Sequence, residues 1–135
     1  MCLPLLDTPV TSTAETLILL ANIARDFELA YRKVLQACLA LALPLVVCTI
    51  YNGNFPDTHY QQRATVALTV FNDVILRVAV EHGLKVIDLR LVCTSSDDYA
   101  NPIEPSVTGG GKIAGAIVQA ITEPNHAARG ANVVS

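Results

Sequence analysis

The fold class of this chain follows from residues 44–57, PLVVCTIYNGNFPD. Leu45–Tyr51 is an unbroken apolar and β-branched run, which is typical of a β-strand covered on both faces. The turn residues Asn52–Asn54 and Pro56–Asp57 come next and predict a loop at the carboxyl end of that strand. Because ligands bind at this edge of an open α/β sheet, the loop is the first place to look for a site.

Long helices are predicted on both sides of this strand. Ser12–Glu15 reads STAE, a capping box that marks a helix start. Apolar residues recur after it at three- and four-residue steps as far as Leu41, and Pro44 stops the helix. A second apolar stripe predicts a helix over 60–82, and Gly83 supplies its left-handed C-terminal cap.

The remaining elements complete an alternating pattern. Lys85–Leu89 (KVIDL) predicts a second short parallel strand, 92–98 a polar, solvated loop, and 109–121 a last helix. Alternating helices and strands are typical of a parallel sheet with helices on both faces. Since a sheet averages about five strands, we predict part of a flavodoxin-like three-layer α/β/α sandwich with its N-terminal strands missing. The predicted partial domain covers 1–121, and a flexible tail covers 122–135.

The composition argues against several classes of protein. Nine Lys and Arg residues are scattered along a chain of net charge −3, so no nucleic-acid surface is predicted. The apolar run Ala37–Tyr51 spans about 15 residues and contains Pro44, whereas a spanning helix needs ~20, so no membrane span is predicted. The N-terminus MCLPLLDTPV has no basic region and no small-residue cleavage site, which argues against a secretory signal and favours a cytoplasmic location.

Neither a metal nor a cofactor is predicted. The four cysteines are Cys2, Cys38, Cys48 and Cys93. They show no C-x-x-C spacing and are interpreted as reduced core thiols rather than disulfides or ligands. The three histidines share no close spacing with Cys, Asp or Glu. The stretch Gly109–Lys112 lacks the first glycine and the Ser or Thr of a phosphate-binding loop, so it is interpreted as a helix entry.

Residues 99–117 read YANPIEPSVTGGGKIAGAI. Together with the order of elements from about Leu5 to Ile121, this block resembles the last block of SGNH/GDSL-type ester hydrolases. In that family the block reads Asp-x-x-His-Pro, then a small loop, a glycine and a helix. The resemblance implies the flavodoxin-like fold and, if the chain is part of a longer hydrolase, a small ester or acyl substrate.

The same comparison implies altered chemistry. The family's catalytic Asp and His fall at Asn101 and Glu104, and no Gly-Asp-Ser-type nucleophile block lies within residues 1–135. Asparagine carries no charge to stabilise an imidazolium, and glutamate is a weak base at neutral pH. No catalytic residue is therefore predicted to be intact. His59, in the loop after the first strand, is a candidate surrogate base, although an exposed loop histidine is the commoner case.

Three functional hypotheses remain open. The first is a truncated or degenerate SGNH/GDSL esterase-like domain without independent hydrolase activity. The second is a small binding or assembly module that pairs through an exposed sheet edge, by self-association or with a complementing chain. It is motivated by 52% hydrophobic residues beside two predicted strands. The third is an active ester hydrolase with a rearranged site built from Glu104 and His59.

Overall fold

The computed structural model describes residues 6–123 and the backbone of residues 133–134. In chain order its elements are α1 (Thr13–Leu39), β1 (Val46–Cys48), α2 (Thr58–Glu81), β2 (Lys85–Ile87), α3 (Leu89–Val92), a 3-10 turn (Ser96–Asp98), α4 (Val107–Thr122) and β3 (Val133–Val134). The chain is therefore an α/β protein in which long helices surround a small sheet.

The sheet is parallel and has the order β1-β2-β3. Val47 of β1 lies opposite Val86 of β2, and Cys48 lies opposite Ile87. This pairing confirms the predicted parallel arrangement of the two strands. In the part of the chain that the structure describes, no strand pairs with the other edge of β1.

Helices cover both faces of the sheet. Because successive strand residues point to opposite faces, each strand contributes side chains to two separate cores. Val47 and Val86 face a core built with α1 and α2, whose fully buried members include Val74 and Val78. The opposite face carries a second core around Ile87. Its other members are Val46, Cys48, Tyr51, Leu89, Val92, Ile113, Ala116 and Ala120. The layers are thus α1 with α2, the sheet, and α4.

The two strands differ in burial. Val86 and Ile87 of β2 are completely buried. All three residues of β1 are only half-buried, although the sequence predicts a strand covered on both faces. Their side chains do pack against both cores, and among the described residues no strand pairs with the other edge of β1.

Local capping sets the helix ends close to their predicted positions. Ser12 Oγ accepts from the Glu15 N–H at 3.1 Å, as the capping box requires. The Glu15 carboxylate, however, accepts from the Thr11 N–H and hydroxyl at 2.7 Å rather than from Ser12. Asp57 caps α2 by accepting from the Tyr60 N–H. Gly83 has φ 63°, the predicted left-handed cap.

Two predicted segments differ in the structure. Leu89 was expected to end the second strand, but the strand ends at Ile87, and Asp88 caps α3 by accepting from the Arg90 N–H at 3.1 Å. The predicted tail over 122–135 falls mostly on residues 124–132 and 135, which lie outside the described residues. Of the remainder, Thr122 is the last residue of α4 and Val133–Val134 form β3.

Candidate functional site

A cavity of about 510 Å³ opens at the carboxyl end of β1. Residues of the loop after β1 form one wall, Phe27 of α1 and Phe71 of α2 form another, and Leu6 and Ile103 also line the cavity. No charged side chain is among the described residues that line it. We call this space the edge cavity, because it lies at the carboxyl-end edge of the sheet.

Polar side chains of α2 hold the loop beside the edge cavity. The Asn72 amide, which is 1% exposed, accepts from the Ile50 N–H at 2.7 Å and donates to the Ile50 carbonyl at 2.9 Å. Gln61 accepts from the Phe55 N–H at 2.7 Å and donates to the Asn52 carbonyl at 3.2 Å. The wall is therefore held by α2 behind it.

The loop over 99–105 packs on the same wall. A backbone bridge closes its two ends, and the Tyr51 hydroxyl donates to the Ile103 carbonyl at 2.8 Å. Gly53 has φ 75°, and a Cβ there would lie 2.8 Å from the Pro102 carbonyl oxygen. A glycine is required at this position for both its conformation and the close approach.

The family-equivalent residues Asn101 and Glu104 are brought together, but as a turn. The Asn101 amide donates to the Glu104 carboxylate at 2.6 Å. The side-chain oxygen Oδ1 of Asn101 accepts from the N–H groups of Ile103 and Glu104 at 3.0 and 2.9 Å. Both side chains are exposed, and neither lines the edge cavity. Their observed role is to stabilise the 99–105 loop.

The surrogate base His59 lies in the first turn of α2, not in the preceding loop, and is exposed. Its carbonyl accepts from Arg63 Nε at 3.3 Å. Among the described residues, no hydrogen bond or ion pair links the His59 side chain to Asn101 or Glu104. The rearranged site of Glu104 and His59 therefore has no contact to support it.

Sequence reasoning missed a polar centre where the two strands end. Thr49 donates its hydroxyl to Asp88 Oδ1 at 2.8 Å and accepts from the Leu89 N–H at 2.9 Å. The Arg90 guanidinium donates to both oxygens of the Asp88 carboxylate, from Nε to Oδ1 at 2.8 Å and from Nη2 to Oδ2 at 2.5 Å. The Arg90 guanidinium is the main cause that lowers the pKa of Asp88. The charge is neutralised within the cluster, which ties β1 to the start of α3.

Asp98 was expected in a solvated loop, but it is completely buried. Its carboxylate contacts Lys112 Nζ at 2.7 and 3.0 Å and accepts from the N–H groups of Thr94 and Ser95, both at 3.0 Å. The Lys112 ammonium is the largest cause that lowers the pKa of Asp98. The reciprocal capping box of Ser95 and Asp98 was the sequence signal that could have revealed it.

Burial argues against two of the described cysteines, Cys48 and Cys93, as nucleophiles. Cys38, Cys48 and Cys93 are free thiols, and Cys2 lies outside the described residues. Burial raises the pKa of the Cys48 and Cys93 thiols, so both are protonated at neutral pH and react poorly. Within residues 6–123, no group of three His, Cys, Asp or Glu side chains is arranged to hold a metal ion.

Comparisons with protein-family models, curated proteins and solved structures find no match to this chain. The resemblance of residues 99–117 and of the order of elements to SGNH/GDSL hydrolases therefore stays a prediction from the sequence. Over the part that the structure describes, none of the helices combines the length and the apolar character needed to cross a membrane.

Proposed function

We propose that this chain is an SGNH/GDSL esterase-like domain of flavodoxin-like type without independent hydrolase activity. The parallel pairing of β1 with β2, the helices on both faces and the 99–105 loop at the carboxyl end of β1 support the family assignment. All three features are expected from the resemblance, in which the altered catalytic block follows the last strand.

One observation carries the absence of activity. Asn101 and Glu104 bond to each other and to the backbone of their own turn, outside the edge cavity. An ester hydrolase needs a nucleophile within hydrogen-bond reach of a base, and a group that orients the base. Glu104 has no serine, cysteine or histidine side chain among its described hydrogen-bond partners. The turn is therefore structural.

The test is hydrolysis of short-chain nitrophenyl esters by the purified chain. We expect rates that equal the buffer background and that do not change in Glu104→Ala or His59→Ala. Glu123→Ala is the matched control, because Glu123 is an exposed carboxylate outside the loop. A rate well above background that falls in the first two variants, but not in the control, would establish the rearranged-site hydrolase instead.

A second function is favoured by a separate observation, the edge of β1 with which no strand of the described residues pairs. Exposed strand edges are templates for pairing with another chain, and β1 carries no charge or proline among Val46–Cys48 to oppose such pairing. The domain then serves as a binding or assembly module that takes up a partner at this edge. Hydrogen exchange at β1, with and without a partner, tests this function independently of any esterase assay.

A further inference from the structure

The helix α4 turns one face towards the rest of the chain and the opposite face away from it. The inner residues recur at three- and four-residue steps and are Gly109, Ile113, Ala116 and Ala120. The residues of the other half of the helix are Val107, Thr108, Gly110, Gly111, Ala114, Gly115, Ile117, Val118, Gln119, Ile121 and Thr122. We call them the outer face of α4. None of them is charged, and all but Gly110 are exposed.

An outer face without charges sets α4 apart from the other long helices. A helix at a protein surface normally carries charged residues opposite its core-facing stripe. The helices α1 and α2 follow this rule, and Glu28 of α1 pairs with Arg77 of α2 at 2.8 Å. The single charged side chain of α4, Lys112, contacts the buried Asp98. The composition of α4 is therefore typical of a helix that is covered on both sides.

The outer face divides into a half of small residues and a half of large ones. Near the start of α4 it carries Gly110 and Gly111, where an added Cβ would meet nothing within 4 Å. Near the end it carries Ile117, Val118 and Ile121, which are 40%, 56% and 64% exposed. Glycine weakens a helix relative to alanine, and no contact with a described residue requires glycine at 110 or 111.

The segment that follows α4 is too short to cover the whole outer face. Residues 124–132 lie outside the described residues, and both flanking residues are placed at β2. The Glu123 carbonyl accepts from Lys85 Nζ at 3.3 Å, and Val133 lies opposite Val86. A segment of this length that goes out and returns reaches at most about 17 Å. The first turn of α4 lies about 20 to 24 Å from Glu123 along the helix axis.

A second copy of the chain supplies what the outer face lacks. Two copies of α4 that run antiparallel about a two-fold axis beside Ala114 and Gly115 place Val118 of each copy opposite Gly111 of the other. The large half of each face then fills the space above the glycines of its partner, as ridges fill grooves. Parallel copies would instead set large residues against large ones and glycines against glycines. A face without charges also does not repel its copy.

The area of the outer face fits a weak dimer. A helix of 16 residues is about 24 Å long and about 10 Å wide, so pairing removes on the order of 500 Å² of surface from each copy. Stable interfaces bury about 800 Å² per partner, and smaller ones belong to weak or transient complexes. We therefore expect a dissociation constant in the micromolar range.

We propose that the outer face of α4 is an interface between two copies of this chain, which pair antiparallel about Ala114 and Gly115 to form a weak dimer. Neither of the proposed functions uses this surface, so the proposal goes beyond both and depends on neither.

The test is sedimentation equilibrium of the chain from about 1 μM to about 1 mM, a range that brackets a micromolar dissociation constant. Val118→Asp should weaken the dimer at least tenfold, because it buries an unpaired charge in the interface. Val80→Asp is the matched control and should change the dissociation constant less than twofold. Val80 is similarly exposed (55% against 56%) and also lies near the end of its helix, but on α2. Urea unfolding of both variants at the lowest concentration verifies that the monomers remain folded.

A second pair of variants tests the antiparallel arrangement. Gly111→Lys alone should also weaken the dimer at least tenfold. An equimolar mixture of Gly111→Lys and Val118→Asp chains should associate at least tenfold more tightly than either variant does with itself. Only the antiparallel arrangement places the introduced lysine of one chain opposite the introduced aspartate of the other.

Three results would overturn the proposal. The first is a parent chain that stays monomeric at about 1 mM. The second is a dimer that both Val118→Asp and Gly111→Lys leave intact, which would place the contact elsewhere. Protection of the β1 amides in that dimer would then support the assembly function instead. The third is a mixture of the two variants that does not associate, although each variant weakens the parent dimer, because the copies would then not be antiparallel.

Discussion

Substituting each of the three consecutive glycines 109–111 by alanine separates a packing requirement from helix propensity. A Cβ at Gly109 would lie 2.1 Å from the carbonyl oxygen of Asp98 and 2.9 Å from its carbonyl carbon. At Gly110 and Gly111 a Cβ meets nothing within 4 Å. All three belong to α4, so the same change has opposite expected effects.

The expected loss of stability in Gly109→Ala depends on how far the start of α4 must move from Asp98. Real Cβ atoms essentially never come closer than 3.0 Å to a neighbour, so the start of α4 and Asp98 must separate by about 1 Å. Overpacking of this kind costs about 1–3 kcal/mol. The same carbonyl accepts from the Ser106 N–H at 2.8 Å, and losing that bond adds about 0.5–1.5 kcal/mol. We expect Gly109→Ala to destabilise the fold by about 2–4 kcal/mol.

The controls should go the other way. Alanine replaces glycine in an open helix position with a gain of up to about 1 kcal/mol, so Gly110→Ala and Gly111→Ala should equal or exceed the parent. Urea unfolding measures the stability of all three variants. Equal m-values verify that a change in the unfolding midpoint reports a change in stability. If Gly109→Ala is as stable as Gly110→Ala, the close contact between α4 and Asp98 is wrong.

Two further predictions concern groups that contact other elements. Hydrogen bonds from Arg77, and then from Arg32, lower the pKa of Glu28 from 4.5 to about 2. The ionised Glu28 carboxylate therefore contributes its full stabilisation of the folded state above about pH 4.5. This contribution is lost as the pH falls towards 2. In Glu28→Gln, the free energy of unfolding from urea curves should fall less between pH 6 and pH 2 than it does in the parent. The same pH dependence in both proteins would refute this role of Glu28. Asn72→Ala removes both bonds to Ile50 and should destabilise by about 2–3 kcal/mol. The exposed control Gln36→Ala should stay within about 0.5 kcal/mol, and equal losses in both variants would contradict the role of Asn72.

Local signals predicted the main elements well. Ser12 caps α1, Gly83 ends α2 in the left-handed conformation, and Leu45–Tyr51 contains β1. Each of these features depends on residues within a few positions of each other. A cap or an apolar stripe can therefore be identified without knowledge of the rest of the fold. The parallel pairing of β1 with Lys85–Ile87 also followed, because a helix connects the two strands.

The candidate site was predicted only in part. The sequence identified the loops after β1 and before α4. It placed Asn101 and Glu104 at catalytic positions, however, only through the resemblance to SGNH/GDSL hydrolases. Their contacts show a self-contained turn. Asp88 and Asp98 were missed as buried charges because their partners Arg90 and Lys112 are identified only by contact.

The sequence by itself determined the three long helices and the strands β1 and β2, because capping and apolar periodicity act over a few residues. Only the tertiary structure decided that Asn72 bonds to the backbone of Ile50 and that Gly109, alone of the three glycines, lies against Asp98. These features join residues that are 11 to 22 positions apart in the chain. Their energies depend on distances of a few ångströms that no local pattern encodes.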